Sequence, residues 1–179
     1  MSLKEITWDL HKEAETSAFV KKIFKGEATK EEYAKYLYNL LAIYDPIEFS
    51  ANRQGMFRNL PGIERLRKLY ADFIELDSGE QYQLVPSVVE YHDYLVKLAN
   101  DPYRRHLIKA HLYVRHMGDL NGGQVFKRIV AQADTEYVWI ASSVCDYTDF
   151  DFSWHPAQWQ EEMIHCFPSG VEKRGDTFY

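Results

Sequence analysis

Two groups of residues stand out for the chemistry they could do. The first is His11 with Glu15, one helical turn apart near the N-terminus. At i,i+4 spacing the carboxylate can accept one ring N–H of the imidazole and leave the other nitrogen for a metal. The same spacing also suits a buried structural histidine beside a solvated ion pair. The second group is the run Tyr113-Val-Arg115-His116-Met-Gly118-Asp119-Leu-Asn-Gly122-Gly123-Gln124. Three glycines fall there inside a stretch whose apolar residues recur at helical spacing, and each costs about 1 kcal/mol relative to alanine in a helix. Gly118 and Gly122 are four apart, so they share one face and leave a flat notch. A notch of this kind serves close helix–helix packing or a turn between two helices. It equally serves a flat ligand pressed on bare backbone. Tyr113, Arg115 and Asp119 crowd the same stretch, which is unusual polarity for a packing seam.

Helices must carry both groups. Ser2-Leu-Lys-Glu5 has the spacing of a capping box and predicts a first helix with Leu3, Ile6, Leu10, Ala14 and Ala18 on its apolar side, before a break at Gly26. Thr29-Lys-Glu-Glu32 is a second capping box. It opens a helix striped with Tyr33, Tyr36, Leu37, Leu40, Leu41 and Tyr44, with a kink expected at Pro46. After a break over Asn59–Gly62, a short helix is predicted through Ile63, Leu66, Leu69, Tyr70 and Phe73, ending at the Asp77-Ser-Gly79 turn. Ser87-Val-Val-Glu90, after Pro86, reads as another capping box, for a helix to about Ala99. Asp101 as N-cap and Pro102 at the first helical position start the helix that runs into the glycine stretch. Val125, Phe126, Ile129 and Val130 continue that pattern to about Asp134, and Pro156 opens a last helix through Trp159, Met163 and Ile164. No alternating strand pattern and no internal repeat is visible. The expectation is an all-α, single-domain irregular helical bundle over residues 1–167, of about six or seven helices, followed by a polar tail over 168–179.

Bulk composition narrows the function classes. A chain of 179 residues favours one domain with a substantial core. Aromatic residues make up 15%, including 13 tyrosines and 10 phenylalanines, enough for a large core or a pocket for a large apolar ligand. A formal charge of −6 argues against nucleic acid as a partner. No apolar run reaches the length of about 20 residues that a transmembrane helix needs, and the N-terminus does not read as a signal peptide. Cys145 and Cys166 are too few for a disulfide framework, a zinc site or an iron–sulfur cluster, and suit reduced thiols in a cytoplasmic protein.

Taken together, His11-Lys-Glu-Ala-Glu15 and Gly118-Asp-Leu-Asn-Gly-Gly-Gln124 resemble the heme oxygenase family, whose pattern is a histidine in the first helix and a GDLSGGQ-type run in a later one. Ile43-Tyr44-Asp-Pro-Ile-Glu48 fits as well, and the likeness extends to about Gln132. The resemblance implies heme b, as cofactor and substrate, held between the first helix and the glycine helix. His11 would be the neutral proximal iron ligand, with Glu15 behind it, and Gly118 and Gly122 would bring distal backbone close to the porphyrin. Asp119 would anchor water at the dioxygen site, with Tyr113 and Arg115 supporting that network or lining the pocket. Lys4 would meet a heme propionate by charge pairing. The implied reaction uses O2 and external electrons to give biliverdin, carbon monoxide and iron, with a ferredoxin or flavoprotein reductase as electron donor.

The sequence departs from the family pattern in three places. Asparagine stands at position 121 where serine is usual, and His116 stands where tyrosine is frequent. The late stretch Trp159–Cys166 lacks the basic residues that the family places near the propionates, and the expectation is a short form without the usual C-terminal helices. Two other readings stay open: a heme-binding or shuttling protein without turnover, and a non-heme diiron or thiaminase-like enzyme recruiting Glu15, Glu48, His92 and His111. Lys21, Lys22, Lys25, Arg104, Arg105, Lys127 and Arg128 could form a basic face for the reductase, or be scattered solvated charges.

Overall fold

The computed structural model describes residues 3–58, 60, 62–116, 118, 119 and 122, with side chains from Trp8 onward. The expectations for Ser2, Asn59, Met117, Leu120, Asn121 and everything from Gly123 through the tail lie outside the described residues. Helix α1 spans Leu3–Glu15 and α2 spans Ala18–Phe24. The sequence reading carried the first helix on through Ala18, but the structure divides it. Thr16 Oγ1 donates to the Glu13 carbonyl at 3.0 Å, and the Ser17 hydroxyl accepts the Val20 amide and caps α2. Short hydroxyl side chains compete with the helical backbone in this way. Gly26, at φ +69°, closes α2. Its amide donates to Ile23 and that of Glu27 to Lys22, the paired bonds of a Schellman motif.

Helix α3, Lys30–Arg53, is the axis of the fold. The Thr29 capping box forms as predicted: Thr29 Oγ1 accepts the Glu32 amide at 3.2 Å, and Glu32 accepts the Thr29 amide at 2.9 Å. Helix α3 runs on through the buried Pro46. Ala34, Leu37, Leu40, Tyr44, Ile47 and Ala51 are buried along it at helical spacing. One end of this stripe meets Leu69 of α4, Leu66–Leu76, in a cluster with Leu37, Leu40 and Tyr44. The other end, Ile47 and Ala51, packs with Leu95 and Leu98 of α5, Pro86–Asn100, and with Ile108 and Leu112.

Two predicted helix starts are corrected. Helix α5 begins one residue before Ser87: Val85 is the N-cap, no side chain caps it, and Pro86 opens the helix with its preset φ. The Val85 amide is tied instead to Asn39 Oδ1 on α3 at 2.9 Å. Asp101 does accept the amides of Tyr103 and Arg104, but they belong to a turn and a single 3-10 turn over Arg105–Leu107. The α-helix proper, α6, starts later and covers residues 108–116, with 118, 119 and 122 also helical. The described residues contain helices and turns and no strand.

Candidate functional site

Leu112, His116 and Asp119 lie three to four apart, so they form the stripe of α6 that faces α3. Tyr44 and Glu48, also four apart, are buried polar residues of α3. They meet in two rungs. The Tyr44 hydroxyl donates to Asp119 Oδ2. Three to four residues along each helix, His116 Nε2 stands 3.2 Å from Glu48 Oε1. The rings of Tyr44 and His116 touch edge to face, with centroids 5.4 Å apart.

Arg115 joins the first rung from the side. Its guanidinium lies 3.4 Å from Asp119 Oδ1 and 5.5 Å from the Tyr44 ring centroid. Burial works against its charge, but Asp119 and Tyr44 outweigh burial and raise its pKa above the ordinary arginine value. Arg115 Nε is buried and has no hydrogen-bond partner among the described residues. Such orphans are uncommon and mark a place where water or a ligand is expected. Asp119, with side-chain exposure of 17%, is therefore a fixed acceptor at the edge of solvent.

The second rung continues into α4. Glu48 Oε1 accepts the Arg65 amide at 2.6 Å and Oε2 accepts the Leu66 amide at 3.1 Å. A carboxylate on α3 thus caps the start of α4, where Arg65 provides no side-chain cap. The Arg65 guanidinium, itself fully buried, donates to the carbonyls of Ile63 and Gly62.

Arg115, Gly118 and Gly122 fall on the neighbouring stripe of the same helix. A Cβ built on Gly118 or Gly122 meets nothing within 4 Å. The packing-seam explanation of the glycines finds no neighbour among the described residues, and the turn explanation conflicts with helical backbone at 118 and 122. Open space over bare helical backbone fits a flat ligand.

On α1, His11 is not the buried structural histidine that its spacing allowed, since its side chain is 56% exposed. Its Nδ1 points at Glu15 Oε1 from 3.6 Å, an ion-pair distance longer than a hydrogen bond. Its other contact among the described residues is the edge of the Trp8 ring, at 5.8 Å. Nε2 is left for a ligand, as a metal-binding histidine requires. The side chain of Lys4 is outside the described residues. Tyr113 is half-buried against the cluster of Ile47, Leu95 and Ile108, on a different side of α6 from Asp119.

The residues proposed for a diiron centre are engaged elsewhere. Glu48 is bound to His116 and α4, His92 to Asp93 at 3.3 Å, and His111 to Tyr91. Tyr91 Oη and His111 Nδ1 are 2.6 Å apart, between α5 and α6. Burial pushes the Tyr91 phenol up to about 12 and lowers the His111 pKa, so the phenol donates to a neutral ring. A histidine that resists protonation when folded makes the native state bind fewer protons than the unfolded chain. Stability should therefore fall as pH drops below about 6.5, the value for a free histidine. Urea denaturation of His111→Gln should lose that acid slope. A variant with the wild-type slope contradicts the assignment.

Comparison with known proteins places this arrangement. The heme oxygenase family model matches residues 1–137. The chain belongs to the heme oxygenase family. Heme oxygenase 1 of Rattus norvegicus is 31% identical over 141 residues, covering 74% of this chain and 48% of that protein. Heme oxygenase 1 of Nostoc is 30% identical over 132 residues, covering 69% and 54%. The chain spans about half the length of the curated relatives it matches. The fold matches the crystal structure of heme oxygenase-1 from the cyanobacterium Synechocystis in complex with heme, with a TM-score of 0.72 at 24% identity over 94% of this chain and 79% of that one. It also matches heme oxygenase from Leptospira interrogans, with a TM-score of 0.63 at 24% identity over 92% and 90%. The all-α class expected from the sequence is the heme oxygenase fold.

Tyr44 and Glu48 are members of the candidate site to which the sequence reading assigns no part in it: both stand in the Ile43–Glu48 stretch of the resemblance, and Glu48 is otherwise offered as a diiron ligand. Their signal was present, since both are polar residues at the helical spacing of an apolar stripe.

Proposed function

We propose that the chain binds heme b between α1 and the helix of residues 108–122 and supports its oxidative cleavage to biliverdin, carbon monoxide and iron. The observation that carries this reading is the open helical face at Gly118 and Gly122, flanked by the fixed Asp119–Arg115 pair. The residues present fit the group. His11 offers Nε2, with Glu15 on the Nδ1 side to orient the ring. Gly118 and Gly122 let backbone approach a planar ring without a Cβ in the way.

Bound heme would supply the iron that activates O2 against the macrocycle itself. The chain's task is to place and hydrate that site. Tyr44 and Arg115 both donate to Asp119, which leaves its remaining acceptor capacity for an ordered water. The unpartnered Arg115 Nε offers a second point for the same water network. No side chain projects from positions 118 and 122 to compete for the space. Lys4 would pair with a propionate, while Tyr113, packed in the core on the other side of α6, would support the helix from behind.

Electrons would come from a ferredoxin or a flavoprotein reductase in the cytoplasm. Lys21, Lys25, Arg104 and Arg105 are exposed and available to it, whereas Lys22 is already paired with Glu32. Among the described residues no helix is long and apolar enough to cross a membrane.

The test is hemin titration of the purified protein. A Soret band should develop with saturation at one equivalent and be lost in His11→Ala. Reductant and O2 should then convert the complex to a bilin. A protein that stays colourless refutes the reading. Binding without bilin makes it a heme carrier.

A further inference from the structure

His11 is exposed, so burial does not fix its ring. Glu15 faces Nδ1 from 3.6 Å, beyond hydrogen-bond range, and its own side chain is 58% exposed. That carboxylate biases the imidazole without locking it. Trp8 stands one turn before His11 on the same helix face. The two rings meet edge to face, with centroids 5.8 Å apart and planes inclined at 65°. Aromatic quadrupoles favour this geometry. Trp8 is held in turn by Lys12, whose ammonium lies 5.6 Å from its ring centroid and 3.4 Å from Asp9 Oδ1. Asp9, Lys12, Trp8, His11 and Glu15 thus form one chain of contacts along α1, each step three or four residues long.

We propose that Trp8 is a positioning residue for His11: its indole sets the plane of the imidazole and so the direction in which Nε2 is presented. The use of that Nε2 rests on the heme reading above, but the ring contact belongs to the ligand-free chain. Neighbours that orient a ligating histidine tune the metal as well as hold it. An imidazole donates through a lone pair in the ring plane and through π orbitals perpendicular to it, so turning the plane changes what a metal at Nε2 receives. An edge-to-face pair is worth a roughly two- to tenfold preference for one ring orientation. Lys12 and Asp9 contribute by limiting the freedom of the indole.

The experiment separates a flat ring from apolar bulk. Trp8→Phe keeps a ring, Trp8→Leu keeps a large apolar side chain without one, and Lys12→Ala releases the indole. Scalar couplings about χ1 and χ2 of His11, measured by NMR on the ligand-free protein at one fixed pH, read the orientation of its ring. Wild type and Trp8→Phe should show one dominant orientation. In Trp8→Leu that orientation should lose roughly two- to tenfold against the alternatives, with Lys12→Ala in between. In the hemin complex, the spread of the paramagnetically shifted heme methyl signals reads the same plane at the metal. It should agree between wild type and Trp8→Phe and differ in Trp8→Leu. A merely structural Trp8 would make the phenylalanine and leucine variants alike. That result, or couplings that ignore position 8, overturns the inference. A wild type that stays colourless with hemin yet shows the expected couplings sinks the heme reading alone. A wild type that binds hemin while its His11 couplings ignore Trp8 sinks the positioning role alone.

Discussion

Glu48→Ala should destabilise the protein by about 3–5 kcal/mol, since it leaves several buried donors without an acceptor at roughly 1–3 kcal/mol each. Three groups depend on this carboxylate. The amides of Arg65 and Leu66 lose the acceptor that caps α4, and the His116 ring loses its partner across the helices. A domain is stable by only about 5–15 kcal/mol, so the variant should sit close to unfolding. Urea denaturation checks this through a lower midpoint at unchanged slope. Glu48→Gln keeps an acceptor for the α4 amides but not the charge, and should fall between wild type and alanine. A loss under about 1 kcal/mol for Glu48→Ala would mean that water replaces the carboxylate.

Substitutions at Gly118 should move stability and heme binding in opposite directions. A Cβ there meets no atom of the described residues and the backbone is helical, so Gly118→Ala should gain about 1 kcal/mol of stability. Gly118→Leu should stay folded as well, because its side chain meets none of the described residues. It would meet the proposed ligand. A steric penalty of about 1–3 kcal/mol corresponds to a roughly tenfold to hundredfold weaker hemin affinity. Thermal unfolding and hemin titration on the same samples make the comparison. If Gly118→Leu binds hemin as wild type does, the glycine face is not the ligand platform.

Much of this arrangement is legible in the chain because it rests on local chemistry. The Thr29–Glu32 box can be read from four residues, and it forms as read. Part of the α3 stripe follows from spacing: Leu37, Leu40 and Tyr44 are buried as read and Tyr33, Tyr36 and Leu41 are partly buried against them, while Ala34, Ile47 and Ala51 complete it. The Gly118–Gln124 run is specific because glycines inside a helix are costly without a purpose. What escaped the sequence depends on contacts between distant segments. Ser87 has the spacing of a cap, yet Pro86 and the Asn39 tether fix the start of α5 two residues earlier, with Val85 as the N-cap. Asp101 caps as expected, but the chain makes a 3-10 turn before the helix settles. Tyr44 and Glu48 acquire their roles only when α6 lies against α3, across 75 and 68 positions of sequence respectively.

The double attachment of α6 also limits how it can move. Glu48 and Tyr44 are one turn apart on α3 and grip residues three apart on the opposite helix. Sliding along the axis would break both grips at once, whereas rocking about the line joining them strains neither. Of the rigid motions open to α6, a tilt is the one these two grips oppose least, and it lifts the Gly118–Gly122 face while leaving Asp119 near the pivot.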